Sequence, residues 1–149
     1  MVIKTETFIN RFYVGSTNMA EKLVKKKEPE EIAGRVEEDN ESILKENIRG
    51  FLKSAELVYK TSDFTSATIL YFKALFSILD LIILRGRGKI PKDHSERFRI
   101  LELDYNELYI ILDKLYPDYR DTYTVKINKE ICHKIKENVE RVVKEQKFF

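Results

Sequence analysis

Residues 64–84 read FTSATILYFKALFSILDLIIL, and this stretch decides the fold. Its apolar side chains recur at helical spacing and cover almost the whole circumference of the predicted helix, interrupted by Lys73 and Asp80. A membrane span would tolerate these two charges poorly, so we predict a buried core helix. A helix that is apolar on all sides must be covered on all sides. In a chain of 149 residues we expect a second copy to supply part of that cover, which predicts a homodimer.

Amphipathic patterns lie on both sides of this core helix. On its N-terminal side, apolar residues from Leu44 to Tyr59 fall on one helical face. On its C-terminal side, an Asp followed three residues later by Glu occurs twice, which is the spacing of a helix cap and its reciprocal partner. The predicted helices cover about 41–60 and 64–84, start at His94, follow a cap at Asp104 as far as Pro117, and start again at about Asn128.

The first forty residues form a separate unit in this scheme. Apolar stripes within 8–13 and within 19–24 predict short helices, and the charge-rich stretch around Pro29 is interpreted as a solvated connector. We therefore predict an all-α fold. In it, a short N-terminal helical extension, 1–40, precedes an up-and-down, four-to-five-helix bundle over 41–149.

Composition excludes several kinds of site. The chain has 27 Lys and Arg against 25 Asp and Glu, a net charge of +2, so affinity for nucleic acid has to come from a local cluster. The single cysteine, Cys132, excludes an intramolecular disulfide and a cysteine-based zinc site. Two histidines are too few for a multi-histidine metal site within one copy. We predict neither a metal nor a cofactor.

Composition also bears on location. Residues 1–20 lack the uninterrupted apolar run of a secretory signal. Charged residues make up 35% of the chain and Gln occurs once, which is typical of a heat-adapted cytosolic protein. We expect a cytoplasmic protein that does not enter the membrane.

The turn after the core helix concentrates positive charge around two glycines. Cleaving an RNA phosphodiester without a metal needs a group that exchanges a proton, for which His94 is suited. It also needs a cation that stabilises charge on the phosphate, and Arg87 suits that task. The alternative is a solvated basic turn in which His94 merely belongs to a helix start. The basic residues of this turn are Arg85, Arg87, Lys89, Lys92, His94 and Arg97.

Aromatic residues and a second histidine lie further along the chain. Tyrosines can stack on nucleobases, but more often they seal the rim of a core or of a dimer interface, which is the interpretation that we favour. We interpret His133 as an ordinary surface or boundary histidine. The tyrosines are Tyr105, Tyr109, Tyr116, Tyr119 and Tyr123.

Three segments together resemble the HEPN family of prokaryotic helical domains. They are FLKSAELVYKTSDFTSATILYFKALFSILDLIIL over 51–84, RGRGKIPKDHSERFRIL over 85–101 and LDKLYPDYRDTYT over 112–124. The resemblance extends over roughly 41–146. It implies an up-and-down bundle that commonly dimerises through its second and third helices. Many members are metal-independent ribonucleases, and others are binding modules or partners of small nucleotidyltransferases, often in toxin and antitoxin pairs.

The family's ribonuclease motif is an Arg, four to six residues, and then a His. The resemblance implies that Arg87 and His94 are these two residues, with 88–93 between them. Active members usually carry Asn, Asp or His just after the arginine, where this chain has Gly88. In a dimer of the family, the two motifs meet across the interface.

Three hypotheses follow for the function. The first is a dimeric HEPN protein that binds RNA or a nucleotide between two Arg87 and His94 pairs and acts as a metal-independent ribonuclease. In it, Arg85, Lys89, Lys92 and Arg97 attract the nucleic-acid backbone. The second is a non-catalytic interaction module that binds a nucleotidyltransferase or another protein encoded beside it. The third is a structural bundle whose cleft is covered by the N-terminal helices.

Overall fold

The computed structural model describes residues 29–148, with side chains from residue 39 onward, and every regular element in this part of the chain is a helix. The prediction of an all-α bundle is therefore confirmed. The short helices predicted within 8–13 and 19–24 lie outside the described residues. The helices are α1 Pro29–Lys60, α2 Phe64–Arg87, α3 His94–Asp104, α4 Asn106–Asp121 and α5 Lys129–Gln146.

Helix α2 is the centre of the core. Asp63 caps its start by accepting a hydrogen bond from the Ser66 backbone N–H (3.1 Å), and fourteen of its 24 residues are buried. A single copy of the chain thus already covers most of α2. The homodimer stays a prediction, but covering α2 is no longer a reason for it. By length and composition α2 could span a membrane, yet 78% of its most apolar 18-residue window is buried inside the protein.

The other helices present one apolar face each to this core. Helix α5 packs along α2, α3 packs on α4, and both α3 and α4 also contact α2. Burying apolar side chains supplies most of the free energy of folding, so these faces hold the bundle together. The buried residues outside α2 include Leu44, Ile48 and Ala55 of α1, Ile100 and Leu101 of α3, Leu112 and Leu115 of α4, and Cys132, Ile135, Val139 and Val142 of α5.

Two helix boundaries differ from the predictions. Helix α1 begins at Pro29 rather than at about 41. Proline is favoured in the first turn of a helix, and the acidic Glu30 and Glu31 that follow suit its positive end, so this stretch is a helix start rather than a connector. Helix α4 passes through Pro117, which was expected to end it. Leu115 before the proline is buried and Tyr119 after it packs on Phe72, and these contacts hold the segment helical.

The predicted cap of α4 is also wrong. Tyr105, not Asp104, occupies the N-cap position, and no side chain caps this helix. The physical reason is that the Asp104 carboxylate is engaged elsewhere, since Oδ2 accepts a hydrogen bond from Arg87 Nε at 2.7 Å. The start of α4 therefore keeps backbone N–H groups that no capping side chain satisfies.

Candidate functional site

The turn between α2 and α3 is built by two well-defined helix ends. Gly88 adopts a left-handed conformation (φ 76°), which glycine tolerates, and its N–H donates to the Leu84 carbonyl at 2.7 Å. At the other end Asp93 accepts from the Glu96 backbone N–H at 2.8 Å. Glu96 in turn accepts from the Lys92 backbone N–H at 2.9 Å. The predicted start of a helix at His94 is confirmed.

Arg87 lies at the exposed end of α2 and forms an ion pair with Asp104 at the end of α3. The 2.7 Å hydrogen bond from its Nε raises the pKa of Arg87 and holds the pKa of the Asp104 carboxyl below its usual range. Both side chains remain accessible to water. Arg87 therefore joins the ends of two helices, and its ionic partner is Asp104.

His94 turns toward the core and is half-buried. Its ring meets the Phe76 ring edge-on, with centroids 4.7 Å apart, and lies 5.7 Å from the Tyr116 ring. Its Nδ1 is 2.6 Å from Nη1 of Arg97. Burial, together with the positive charge of Arg97, lowers the pKa of His94. Because a guanidinium has only donors, Nδ1 accepts this bond, and the neutral ring carries its proton on Nε2.

Arg97 is buried, with 7% of its surface exposed, and it holds Asp80 of the core helix in a two-pronged ion pair. Nε donates to Oδ1 of Asp80 at 2.6 Å and Nη2 donates to Oδ2 at 2.9 Å. The guanidinium also lies 4.9 Å from the centre of the Phe76 ring. All three nitrogens are thus used within the protein. The structure places Arg97 in the interior, away from the surface where a nucleic-acid backbone would bind.

The remaining basic residues of the turn have separate surroundings. Arg85 donates to Oε1 of Glu41 at 2.7 Å and lies over the Phe148 ring. Lys89 and Lys92 are exposed. The six basic residues predicted as one cluster therefore divide into ion-paired, buried and solvated side chains. The stretch is contiguous in sequence but does not form one positive surface.

A groove of about 390 Å³ lies where α3 meets α4, beside the ends of α2 and α5. Its aliphatic side chains come from α2 and α4, and three carboxylates surround it. None of its nine lining residues is Lys or Arg. Sequence reasoning missed this groove, because it depends on the break between α3 and α4 at Tyr105. The lining residues are Ile82, Asp104, Tyr105, Asn106, Glu107, Leu108, Ile111, Glu145 and Gln146.

Among the described residues, no group of three or more His, Cys, Asp or Glu is arranged to hold a metal ion. Comparison with family models, with curated proteins and with solved structures finds no match for this chain.

Proposed function

We propose that the chain is a non-catalytic helical module of the HEPN type that acts by binding a partner protein. The observation that carries this proposal is the contact between Arg97 and Nδ1 of His94. It bears directly on whether the imidazole can exchange a proton with a substrate.

A general base needs a free lone pair. In His94 one nitrogen accepts from Arg97 and the other bears the ring proton, so neither offers a lone pair to a ribose hydroxyl. Releasing Nδ1 requires either Arg97 or the His94 ring to move. Asp80 holds the buried guanidinium with two hydrogen bonds, and Phe76 and Tyr116 contact the ring. The neutral ring is also a weak acid. His94 therefore suits a structural role better than acid–base catalysis.

The groove between α3 and α4 supports a binding role. Its floor offers Ile82, Leu108 and Ile111, while its acidic rim repels like charge. Apolar pockets with a few polar groups are the usual form of a binding site. The occupant that fits is a segment of a partner protein that carries apolar side chains next to Lys or Arg. A nucleotidyltransferase is the partner class that the HEPN resemblance implies.

Co-expression with the proteins encoded beside it tests this proposal. We expect a stable complex whose dissociation constant rises about tenfold or more when Ile111→Glu places a charge on the groove floor. The matched control is Ile110→Glu, since Ile110 is 56% exposed and does not line the groove. No complex with any neighbour, or equal weakening by both variants, would refute binding at the groove.

RNA binding is a second candidate function. It is supported by the exposure of Arg87, Lys89 and Lys92 on one turn, where a phosphate chain could exchange with the Asp104 carboxylate. Binding without cleavage would leave the argument on His94 untouched. A filter-binding titration of single-stranded RNA at two salt concentrations tests it, because backbone binding weakens steeply as salt rises.

A further inference from the structure

Helix α1 carries an exposed stripe that no other described part of the chain covers. Ile43 is 54% exposed and Leu57 is 56% exposed, although both are large apolar side chains. They are fourteen residues apart, and Gly50 lies halfway between them. A spacing of seven residues is close to two helical turns, so all three lie on one face.

No contact within the described residues explains why position 50 is a glycine. It lies inside a long helix, where glycine costs stability relative to alanine. A Cβ atom at this position would meet no heavy atom within 4 Å, so neither packing nor a tight approach within the described chain requires glycine. What glycine does provide is a flat backbone surface on which a second helix can come close.

The stripe is symmetric about Gly50. A two-fold axis through this position, with the helices antiparallel, sets Ile43 of one copy against the partner's Leu57. The same contact forms again at the other end. An interface related by a two-fold axis uses the same patch on both copies, which is what a self-complementary stripe allows.

The polar residues that flank the stripe match in the same arrangement. On one side, Glu46 and Lys53 both fall within about 60° of Gly50 around the helix. Measured along the helix axis, the antiparallel arrangement places Glu46 within about 1.5 Å of the partner's Lys53. The two-fold axis repeats this contact, so two ion pairs form. On the other side, Asn47 falls opposite the partner's Ser54. A parallel pair would instead set Glu46 beside the partner's Asn47, which offers no opposite charge.

We propose that the chain forms an antiparallel homodimer through this α1 face, with the two helices crossing at Gly50. The occupant of the stripe is a second copy because apolar, charged and small residues each meet their complement under one symmetry operation. This dimer does not use the α3–α4 groove, and it does not depend on the proposed function.

Sedimentation equilibrium of the full chain over a wide range of concentration tests the dimer. We expect the mass to rise from 17.7 kDa toward twice that value. Glu46→Lys should raise the dissociation constant about tenfold or more, because it sets two lysines against each other. The double variant Glu46→Lys with Lys53→Glu exchanges the charges and should restore the dimer. The control is Glu102→Lys, which changes an exposed charge on α3 and should dimerise as the parent does.

Gly50→Ala gives a second test, because it should change the stability of the monomer and the affinity of the dimer in opposite directions. Alanine favours the helix, so the melting temperature of the dilute monomer should rise, while the added methyl groups at the crossing weaken the dimer. A monomeric mass at all concentrations would overturn the proposal and leave the stripe to a different protein or to another segment of the chain. A dimer insensitive to Glu46→Lys, or one that the charge exchange fails to restore, would overturn the antiparallel α1 face.

Discussion

Arg97 donates from Nη1 to Nδ1 of His94 across 2.6 Å, while its Nε and Nη2 hold the carboxylate of Asp80. This chain of hydrogen bonds ties the start of α3 to the middle of α2. It gives a buried cation both a counter-ion and a neutral acceptor, which is the condition for tolerating charge in an interior. A histidine held this way fixes the position of the start of α3.

Purified protein should leave RNA intact. Incubation of total RNA with the parent chain in EDTA, beside the His94→Ala and Arg87→Ala variants, should give identical undegraded RNA in every lane. The reason is that Nδ1 of His94 accepts from Arg97 and Arg87 pairs with Asp104, so both predicted catalytic residues are engaged within the protein. Any inhibitory partner must first be removed. Cleavage by the parent and not by His94→Ala would establish a ribonuclease and refute the non-catalytic proposal.

Removing Asp80 should destabilise the fold strongly. Asp80→Ala leaves the Arg97 guanidinium buried without its counter-ion, which typically costs about 3–5 kcal/mol of unfolding free energy. Urea denaturation followed by far-UV circular dichroism measures this loss.

Two comparisons sharpen that experiment. Replacing both partners with apolar residues, Asp80→Leu with Arg97→Met, should recover most of the loss, because no unpaired charge remains. Asp104→Ala removes the exposed partner of Arg87 and should change stability little. Equal effects from Asp80→Ala and Asp104→Ala would contradict the burial argument.

The stability of the protein should fall as pH is lowered from neutrality. The pKa of His94 in the folded protein lies below its ordinary value of 6.5, so the unfolded chain binds more protons in the interval between the two values. The unfolding free energy is therefore largest above about pH 7 and decreases as pH falls through that interval.

Unfolding in urea at several pH values between about 5 and 7 measures this dependence, and His94→Gln is the control. Carboxylates with lowered pKa values, such as Glu41 and Asp104, lose their contribution mainly at lower pH. The parent should therefore lose more stability than the variant within this window. Parallel curves for the two proteins would mean that folding does not lower the pKa of His94.

The helices could be predicted because their signals are local. Asp93 accepts a hydrogen bond from the N–H group three residues later, as its spacing to Glu96 predicts, and Asp63 and Asn128 cap their helices in the same way. The exceptions have tertiary causes. Asp104 has the same spacing to a following Glu, but its carboxylate binds Arg87 instead of capping α4. Core packing keeps α4 helical through Pro117.

The candidate site was harder to predict, because its contacts join different helices. Asp80 and Arg97 are seventeen residues apart, and their pairing depends on how α3 packs against α2. The available signal was the charge of Asp80 inside the apolar stretch 64–84. It indicates a buried partner without saying which residue supplies it. The basic turn concentrates charge in sequence, yet Arg97 and Arg87 point to different carboxylates.

Replacing Gly86 with alanine should be more favourable when Tyr105 lacks its hydroxyl. A Cβ atom at Gly86 would overlap the Tyr105 hydroxyl oxygen and would lie 3.3 Å from Cζ of the same ring. In the Tyr105→Phe background the oxygen is gone, so Gly86→Ala should stabilise the helix by up to about 1 kcal/mol. In the parent the same change must displace the ring, so the gain should shrink or become a loss.

A double-mutant cycle of unfolding free energies isolates this coupling, with Tyr105→Phe alone as the reference. Tyr105 occupies the N-cap position of α4 and lines the α3–α4 groove, so displacing its ring should also change binding there. The parent carrying Gly86→Ala should therefore bind a groove partner more weakly than the double variant does. Additive free energies would show that the ring moves aside freely, and Gly86 would then have no part in shaping the groove.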